Sequence, residues 1–259
     1  MFAPMAHFSL SELTDPARIE HENELHQLYH RPELLSLPDI AWGDRWMLDA
    51  DCAAFARIAQ GFATHFASIY WLRAPRHQSA RALTAHFARA EQLGLGSSAW
   101  TNTPLDEFLV PLKGYVRPDR LVSAEALPFR PMRGAYLVVS RFFRHQDVAA
   151  NAVFHWYDQV RIPNMLECAG AAGAWTFASR QLFSPTGDLS KAILRVQLVY
   201  LDGDPVIFAQ ELADREPHWV QAGQGRDTAD VEEVLFAAPL RIVIPWRPGR
   251  FANAGGGRR

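Results

Sequence analysis

The sequence predicts an α+β protein made of two tandem βαββαβ units, residues 1–128 and 129–250, whose antiparallel sheets pack into one intramolecular α+β barrel. Three observations lead to this prediction. Short segments recur in the same order about 130 residues apart, and strand-like and helix-like patterns follow one another in the same order in each copy. A four-stranded sheet with helices on one face leaves its other face apolar, so two such units bury those faces together.

The internal repeat extends over almost the whole chain. "AHFSLSEL" from Ala6 resembles "AYLVVSRF" from Ala135, and "PLKGYVRP" from Pro111 resembles "PLRIVIPW" from Pro239. Two further pairs keep the same order and spacing: Pro32 with Pro163, and Trp46 with Trp175. A fixed period of this length indicates a duplicated structural unit.

The elements are clearest in the second copy. "GAYLVVSRFF" is rich in β-branched and aromatic residues and predicts a strand, while "DVAANAVFHWYDQVRIPNML" has apolar residues at helical spacing. "AGAWTFASRQLF" and "KAILRVQLVYLDGD" alternate around the turn-rich "SPTGD", which predicts a hairpin. "DPVIFAQELADRE" begins a helix with Pro just inside its start, and "PLRIVIPW" closes the unit as a strand.

The first copy follows the same order. The strand "AHFSLSEL" precedes a helix that continues to about Leu37, the strands "WGDRWMLD" and "THFASIYWLRAP", the helix "RHQSARALTAHFARAEQLG" and the strand "LKGYVR". "GLGSS" from Gly94 follows a helix, so we interpret it as a C-cap and not a phosphate-binding loop. This order is that of a ferredoxin-like unit. The Gly-rich residues 251–259 predict a flexible tail.

Composition narrows the class of protein. The net charge is −2, from 26 basic and 28 acidic side chains, which argues against nucleic acid and an anionic membrane surface as partners. Cys52 and Cys168 lie outside any C-x-x-C spacing, which fits a reducing, cytoplasmic location. No apolar run approaches the roughly 18 residues of a membrane span. Both a monomer and a homodimer are compatible with the sequence.

One helix carries a family resemblance. "FHWYDQVRIP" matches the pattern W-Y-D-x-x-H-x-P at Trp156, Tyr157, Asp158 and Pro163, with Arg161 at the His position. The segment resembles the EthD-like branch of the dimeric α+β barrel superfamily. The first copy keeps His30 and Pro32 but replaces W-Y-D by "LHQ". The resemblance spans both halves and implies a small-molecule cavity between sheet and helices. The superfamily includes muconolactone isomerases, polyketide cyclases, cofactor-free monooxygenases and haem proteins, so it does not select a reaction.

Two histidines are the catalytic candidates. His30 lies at the end of the first helix, where the chain turns before Pro32, and an imidazole there could act as general acid or base. The alternative is a surface histidine that interacts with the helix dipole. His7, Ser9 and Ser11 share one face of the first strand, which predicts a polar pocket in the first copy, unless that face meets solvent.

The substrate-binding candidates are arginines and aromatic residues. Arg45 and Arg73, with Trp46, flank strands of the first copy and suit a planar, anionic molecule, although aromatic residues at strand spacing more often form the core. Tyr157 and Arg161 lie four residues apart on one helix face, where Arg161 would bind an anion and could not act as a base.

These observations predict an enzyme without cofactor or metal. His26 and His30 have the spacing of two metal ligands on a helix, but no H-E-x-x-H pattern accompanies them. The predicted activity is an isomerase or cyclase that transfers a proton on a small, conjugated, carboxylated intermediate of aromatic-compound breakdown. The alternatives are a cofactor-free monooxygenase, a haem-binding relative, and a non-catalytic small-molecule-binding protein.

Overall fold

The computed structural model describes residues 3–94, 100–117, 119, 122–143, 147–179 and 192–243. The described residues divide into two compact units, the first drawn from the ranges 1–50, 61–108 and 242–259, and the second from the ranges 51–60 and 109–241. The division into repeats at residue 128 stays a prediction about the sequence. The predicted tail, 251–259, and the turn "SPTGD" lie outside the described residues.

The first unit has a four-stranded sheet. Its strands are β1 (Met5–Leu13), β2 (Ile40–Met47), β4 (Phe66–Leu72) and residues 101–108 of β5 (Thr101–Val116). Their order is β2-β4-β1-β5, and β4 is antiparallel to both β1 and β2. Numbered within the unit, this is 2-3-1-4, the order expected of a ferredoxin-like fold. β5 begins eleven residues earlier than the predicted strand "LKGYVR".

Helices cover one face of this sheet. A 3₁₀ turn (Pro16–Arg18) leads into α1 (Ile19–Leu25), a π-helical turn (His26–His30) and α2 (Arg31–Ser36), and α4 (Arg76–Gln92) follows β4. A short helix, α3 (Ala50–Ala53), follows β2, and its residues from Asp51 onward belong to the second unit. Leu34 of α2 and Leu83 of α4 pack in one apolar cluster with Met5 and Leu72 of the strands. α4 ends in a left-handed glycine, Gly94, with φ of 72°, as the C-cap interpretation expects.

The second unit repeats the arrangement. Its strands are β6 (Gly134–Phe142), β7 (Ala171–Ser179), β8 (Ile193–Leu201) and β9 (Glu232–Ile242), in the order β7-β8-β6-β9. Residues 109–116 of β5 pair with β7, and the short β3 (Arg57–Ile58) pairs with β9. The helices are α5 (Val148–Trp156), a π-helical turn (Tyr157–Arg161), α6 (Ile162–Glu167) and α7 (Pro205–Gln221), with a 3₁₀ helix at Ala124–Phe129. The predicted α+β class with two tandem ferredoxin-like units of antiparallel sheet is confirmed.

The same π-helical turn occurs in both units. The N–H of Arg31 donates to the carbonyl of His26, five residues back, and the N–H of Ile162 donates to that of Tyr157. Each turn ends two residues before a proline, whose ring would clash with the carbonyl four residues earlier in a regular α-helix. The expectation that the chain turns before Pro32 is therefore wrong: the helical path continues to Ser36, and His30 lies within it.

No helix within the described ranges combines the length and apolar character that crossing a membrane demands.

Candidate functional site

A cavity of about 380 Å³ lies in the first unit, on the helix-covered face of the sheet. This volume falls within the range of small-molecule sites. The walls come from β1, β2, β4, β5, the π-helical turn and its flanks, and α4. The lining residues are His7, Ser9, Ser11, Glu22, His26, His30, Leu34, Arg45, Ser68, Tyr70, His86, Phe87, Ala90, Glu91, Thr101, Thr103 and Asp106.

The pairing of strands β1, β2 and β4 places polar side chains at the floor of this cavity. Ser9 of β1 and Arg45 of β2 are both opposite Ser68 of the central strand β4. One step along the sheet, His7 is opposite Tyr70. Because alternate residues of a strand point to the same face, these side chains share the face that the helices cover. The predicted polar face of the first strand therefore meets the cavity.

Arg45 is a buried cation that makes no ion pair with any described residue, although the Glu22 carboxylate on the same cavity lining attracts it from beyond ion-pair distance. Its residue is 7% exposed, and no ion pair or hydrogen bond of its guanidinium is found among the described residues. Its Nε atom is buried and unpartnered, while the guanidinium carbon lies 4.0 Å from the centre of the Phe66 ring. Burial lowers the pKa of Arg45 to about 10, and the guanidinium remains charged at neutral pH. A buried charge of this kind is costly unless something pairs with it.

A histidine and a tyrosine form a hydrogen bond near this arginine. The Tyr70 hydroxyl lies 3.1 Å from Nε2 of His26. Burial, with smaller contributions from the charges of Arg45, His30 and Arg31, holds the pKa of His26 well below its ordinary value. Burial also raises the pKa of Tyr70 to about 12. Both side chains are therefore neutral at pH 7.

His30 differs from His26 in its surroundings. It is partly exposed, and the described part of the chain offers it no hydrogen-bond partner. Burial lowers its pKa, although the carboxylate of Glu33 opposes the effect. The imidazole is therefore neutral near pH 7 and free to accept a proton from a ligand.

The second predicted catalytic histidine, His7, is held by a carboxylate. Its Nε2 lies 2.7 Å from Oδ1 of Asp106, and its ring contacts those of Phe87 and Phe108. A carboxylate at Nε2 fixes the proton on that nitrogen and orients the ring. Both residues line the cavity, so this pair forms part of its wall.

The structure brings together five of the predicted site residues: His7, His30, Arg45, Ser9 and Ser11 line the cavity. Trp46 is buried next to Arg45 in sequence, which points it to the opposite face of β2. Arg73 is exposed and donates to the carbonyl of Ile40.

Tyr157 and Arg161 belong to the second unit. Arg161 forms an ion pair of 2.9 Å with Glu216, and the Tyr157 hydroxyl donates to both carboxylate oxygens of Glu232, at 2.9 and 2.8 Å. Both side chains therefore already have anionic partners within the protein.

Sequence reasoning missed His26 and Tyr70 as site residues. The sequence suggests His26 only as a possible metal ligand, and Tyr70 is not among the candidate site residues. The alternation of side chains along a strand could have indicated Tyr70. Ser68 and Tyr70 are two residues apart on β4 and share one face, as His7 and Ser9 do on β1. Among the residues that the structure describes, no group of three or more His, Cys, Asp or Glu side chains is arranged to hold a metal ion.

Comparison with known proteins supports the fold. No protein-family model and no curated protein sequence matches the chain. Among similar solved structures is a protein assigned as a chlorite dismutase, with a TM-score of 0.51 and 10% identity over 95% of this chain and 96% of that chain. A dye-decolorizing peroxidase from Bacteroides thetaiotaomicron has a TM-score of 0.53 and 8% identity over 93% of each chain. A protein assigned as a monooxygenase from Fusobacterium nucleatum has a TM-score of 0.52 and 8% identity over 93% of this chain and 94% of that chain. At this identity the likeness shows the fold alone. The resemblance to the EthD-like branch of the dimeric α+β barrel superfamily stays a prediction.

Proposed function

We propose that this protein is an enzyme that binds a small, conjugated, anionic molecule in the cavity of its first unit and removes a proton from it without a cofactor. The observation that carries the proposal is Arg45, a buried guanidinium on a cavity wall that also holds several imidazoles. Buried charges in proteins are normally paired, so an anionic ligand explains why this one is retained.

The proposed roles follow from the surroundings of each group. His30 is the general base, because it is neutral near pH 7 and has no hydrogen-bond partner among the described residues. Arg45 binds the substrate anion and stabilises the negative charge that develops on oxygen as the proton leaves. Arg73, Arg161, Trp46 and Tyr157, which lie away from the cavity, have no role in this mechanism.

Two reactions share this first step. Return of the proton to another carbon isomerises the substrate, which is the reaction predicted from the sequence. Alternatively, the carbanion adds O₂, the O–O bond of the resulting peroxide breaks with loss of water, and a carbonyl forms, which is a cofactor-free monooxygenation. The similar structures are described as a monooxygenase, a peroxidase and a chlorite dismutase. Each of these names refers to a reaction of oxygen or of an oxygen compound, so we favour the second reaction.

A haem group does not fit this cavity. A bound macrocycle needs apolar contacts on both faces, whereas the described lining residues include only Leu34, Phe87 and Ala90 as aliphatic or phenyl side chains. The remaining walls are hydroxyl, imidazole, carboxylate and guanidinium groups. We therefore derive no step through haem.

The test is an absorbance screen of the purified protein against muconates, muconolactones and hydroxylated aromatic acids, run in parallel with and without oxygen. His30→Gln is compared with wild type, and His155→Gln, an exposed histidine of the second unit, is the matched control. Turnover without oxygen supports isomerisation, and turnover that consumes one O₂ per substrate supports the monooxygenase. Turnover that His30→Gln leaves unchanged contradicts the proposed base. A Soret band in the purified protein contradicts the cofactor-free proposal.

A further inference from the structure

We propose that Tyr70 donates its hydroxyl hydrogen to an anionic oxygen of the substrate, beside Arg45, because His26 donates to the Tyr70 oxygen and leaves that hydrogen free. The inference rests on the proposed function for the role of Arg45. It also narrows the substrate class to phenols and enols, in which the developing charge lies on an oxygen conjugated with the reacting carbon.

The position of Tyr70 is well defined. The residue is 4% exposed, lies on the central strand and lines the cavity two residues from Ser68. Its ring extends over Gly43 of the neighbouring strand, where any Cβ would collide with the ring. Arg45 of the neighbouring strand is opposite Ser68, two residues from Tyr70, and both side chains line the cavity, so the two groups act on the same region of it.

The hydrogen-bond direction follows from the other nitrogen of His26. Nδ1 of His26 is buried, and no partner for it exists among the described residues. If Nδ1 carried the proton, a buried N–H would lack an acceptor. A buried N–H without an acceptor is rarer and costs more free energy than an unprotonated Nδ1 whose lone pair lacks a donor. The proton of the neutral ring therefore lies on Nε2, which faces the Tyr70 oxygen at 3.1 Å. That oxygen accepts, and its own hydrogen points elsewhere.

The second unit shows what a buried phenol does in this fold when a carboxylate is within reach. Tyr157, which occupies the repeat position of His26, donates to Glu232, which is 5% exposed. In the described part of the first unit, Tyr70 has an imidazole and no carboxylate as its hydroxyl partner. The hydroxyl hydrogen of Tyr70 is thus available to an anion from outside the protein.

The first test reads the His26 tautomer in the full, ligand-free protein. Long-range ¹H–¹⁵N spectra separate a protonated ring nitrogen from a bare one, and His26→Gln assigns the signals. We expect His26 with Nε2 protonated and Nδ1 bare at pH 7. A protonated Nδ1 overturns the inference, because Tyr70 would then donate to His26.

The second test measures binding of 4-nitrophenol, which changes colour when it ionises. We expect the wild type to bind the phenolate form and Tyr70→Phe to bind it about 10- to 100-fold more weakly, the usual effect of losing a hydrogen bond to a charged group. Binding of the neutral 4-nitroanisole should change less than threefold. Tyr136→Phe, a buried tyrosine of the second unit, is the matched control and should behave as wild type.

The two proposals fail in different ways. If Tyr70→Phe binds the phenolate as wild type does while Arg45→Gln loses it, the inference is overturned and the anion site of the proposed function stands. If Arg45→Gln binds normally while Tyr70→Phe does not, the role proposed for Arg45 is overturned and the donor role of Tyr70 is supported.

Discussion

Replacing Arg45 by methionine should stabilise the fold and abolish ligand binding. Burial lowers the pKa of Arg45 to about 10, roughly two and a half pH units below the ordinary value for arginine. At 1.36 kcal/mol per unit, the folded state carries a cost of ~3 kcal/mol for this charge. Methionine has a similar length and no charge, so Arg45→Met removes the cost while it keeps most of the packing.

One favourable contact opposes this gain. The guanidinium lies over the Phe66 ring at 4.0 Å, an arrangement worth about 1 kcal/mol. We therefore expect Arg45→Met to raise the free energy of unfolding by ~2 kcal/mol at pH 7. Because the folded pKa lies below the unfolded one, the cost of the charge is fully present at neutral pH and is lost only as the pH rises above about 10.

The assay is urea denaturation at pH 7 without ligand, followed by tryptophan fluorescence. Arg45→Lys, which keeps a buried cation, is the control and should gain nothing. If Arg45→Met instead lowers the free energy of unfolding by more than ~1 kcal/mol, the guanidinium has a stabilising partner. The reasoning about an unpaired charge, and with it the anion site, would then be refuted.

Three further predictions concern the base, the packing of the cavity and the second unit. His30→Gln should lower kcat about 10²- to 10⁴-fold with little change in KM. In the wild type, burial lowers the pKa of His30, so kcat/KM should fall only at a pH below that at which an ordinary histidine titrates. An inflection above pH 7 in a pH–rate profile would speak against this base. Gly43→Ala should lower the free energy of unfolding by about 1–3 kcal/mol in urea titrations and weaken phenolate binding, because the alanine Cβ collides with the Tyr70 ring. An unchanged affinity for the phenolate would show that the position of the ring does not matter for binding. Tyr157→Phe should lower the free energy of unfolding by about 1.5–3 kcal/mol, because it removes the Tyr157 hydroxyl that donates to the buried Glu232 carboxylate. Binding of 4-nitrophenol, measured in a parallel titration, should stay as in the wild type. A loss of binding would link the second unit to the site.

Much of the fold was predictable from the sequence because its signals are local. The period-two alternation of "AHFSLSEL" and "AYLVVSRF", and the helical spacing between them and the next strands, specify elements without knowledge of their neighbours. The repeat then fixes how many times the unit occurs. Where the local signal misled, as at Pro32, a π-helical turn accommodates the proline. Such a turn needs only one shifted hydrogen bond, which leaves no mark in an apolar pattern.

The polar face of β1 was also determined by the sequence, since His7, Ser9 and Ser11 share one face of any strand. Only the tertiary structure decided that Ser68 lies between Ser9 and Arg45, because the pairing of separate strands depends on register and not on local pattern. It also decided which arginine lacks an ion pair. Arg161 pairs with Glu216, whereas Arg45 forms no ion pair among the described residues. The difference arises from helix docking and burial, which no spacing along the chain records.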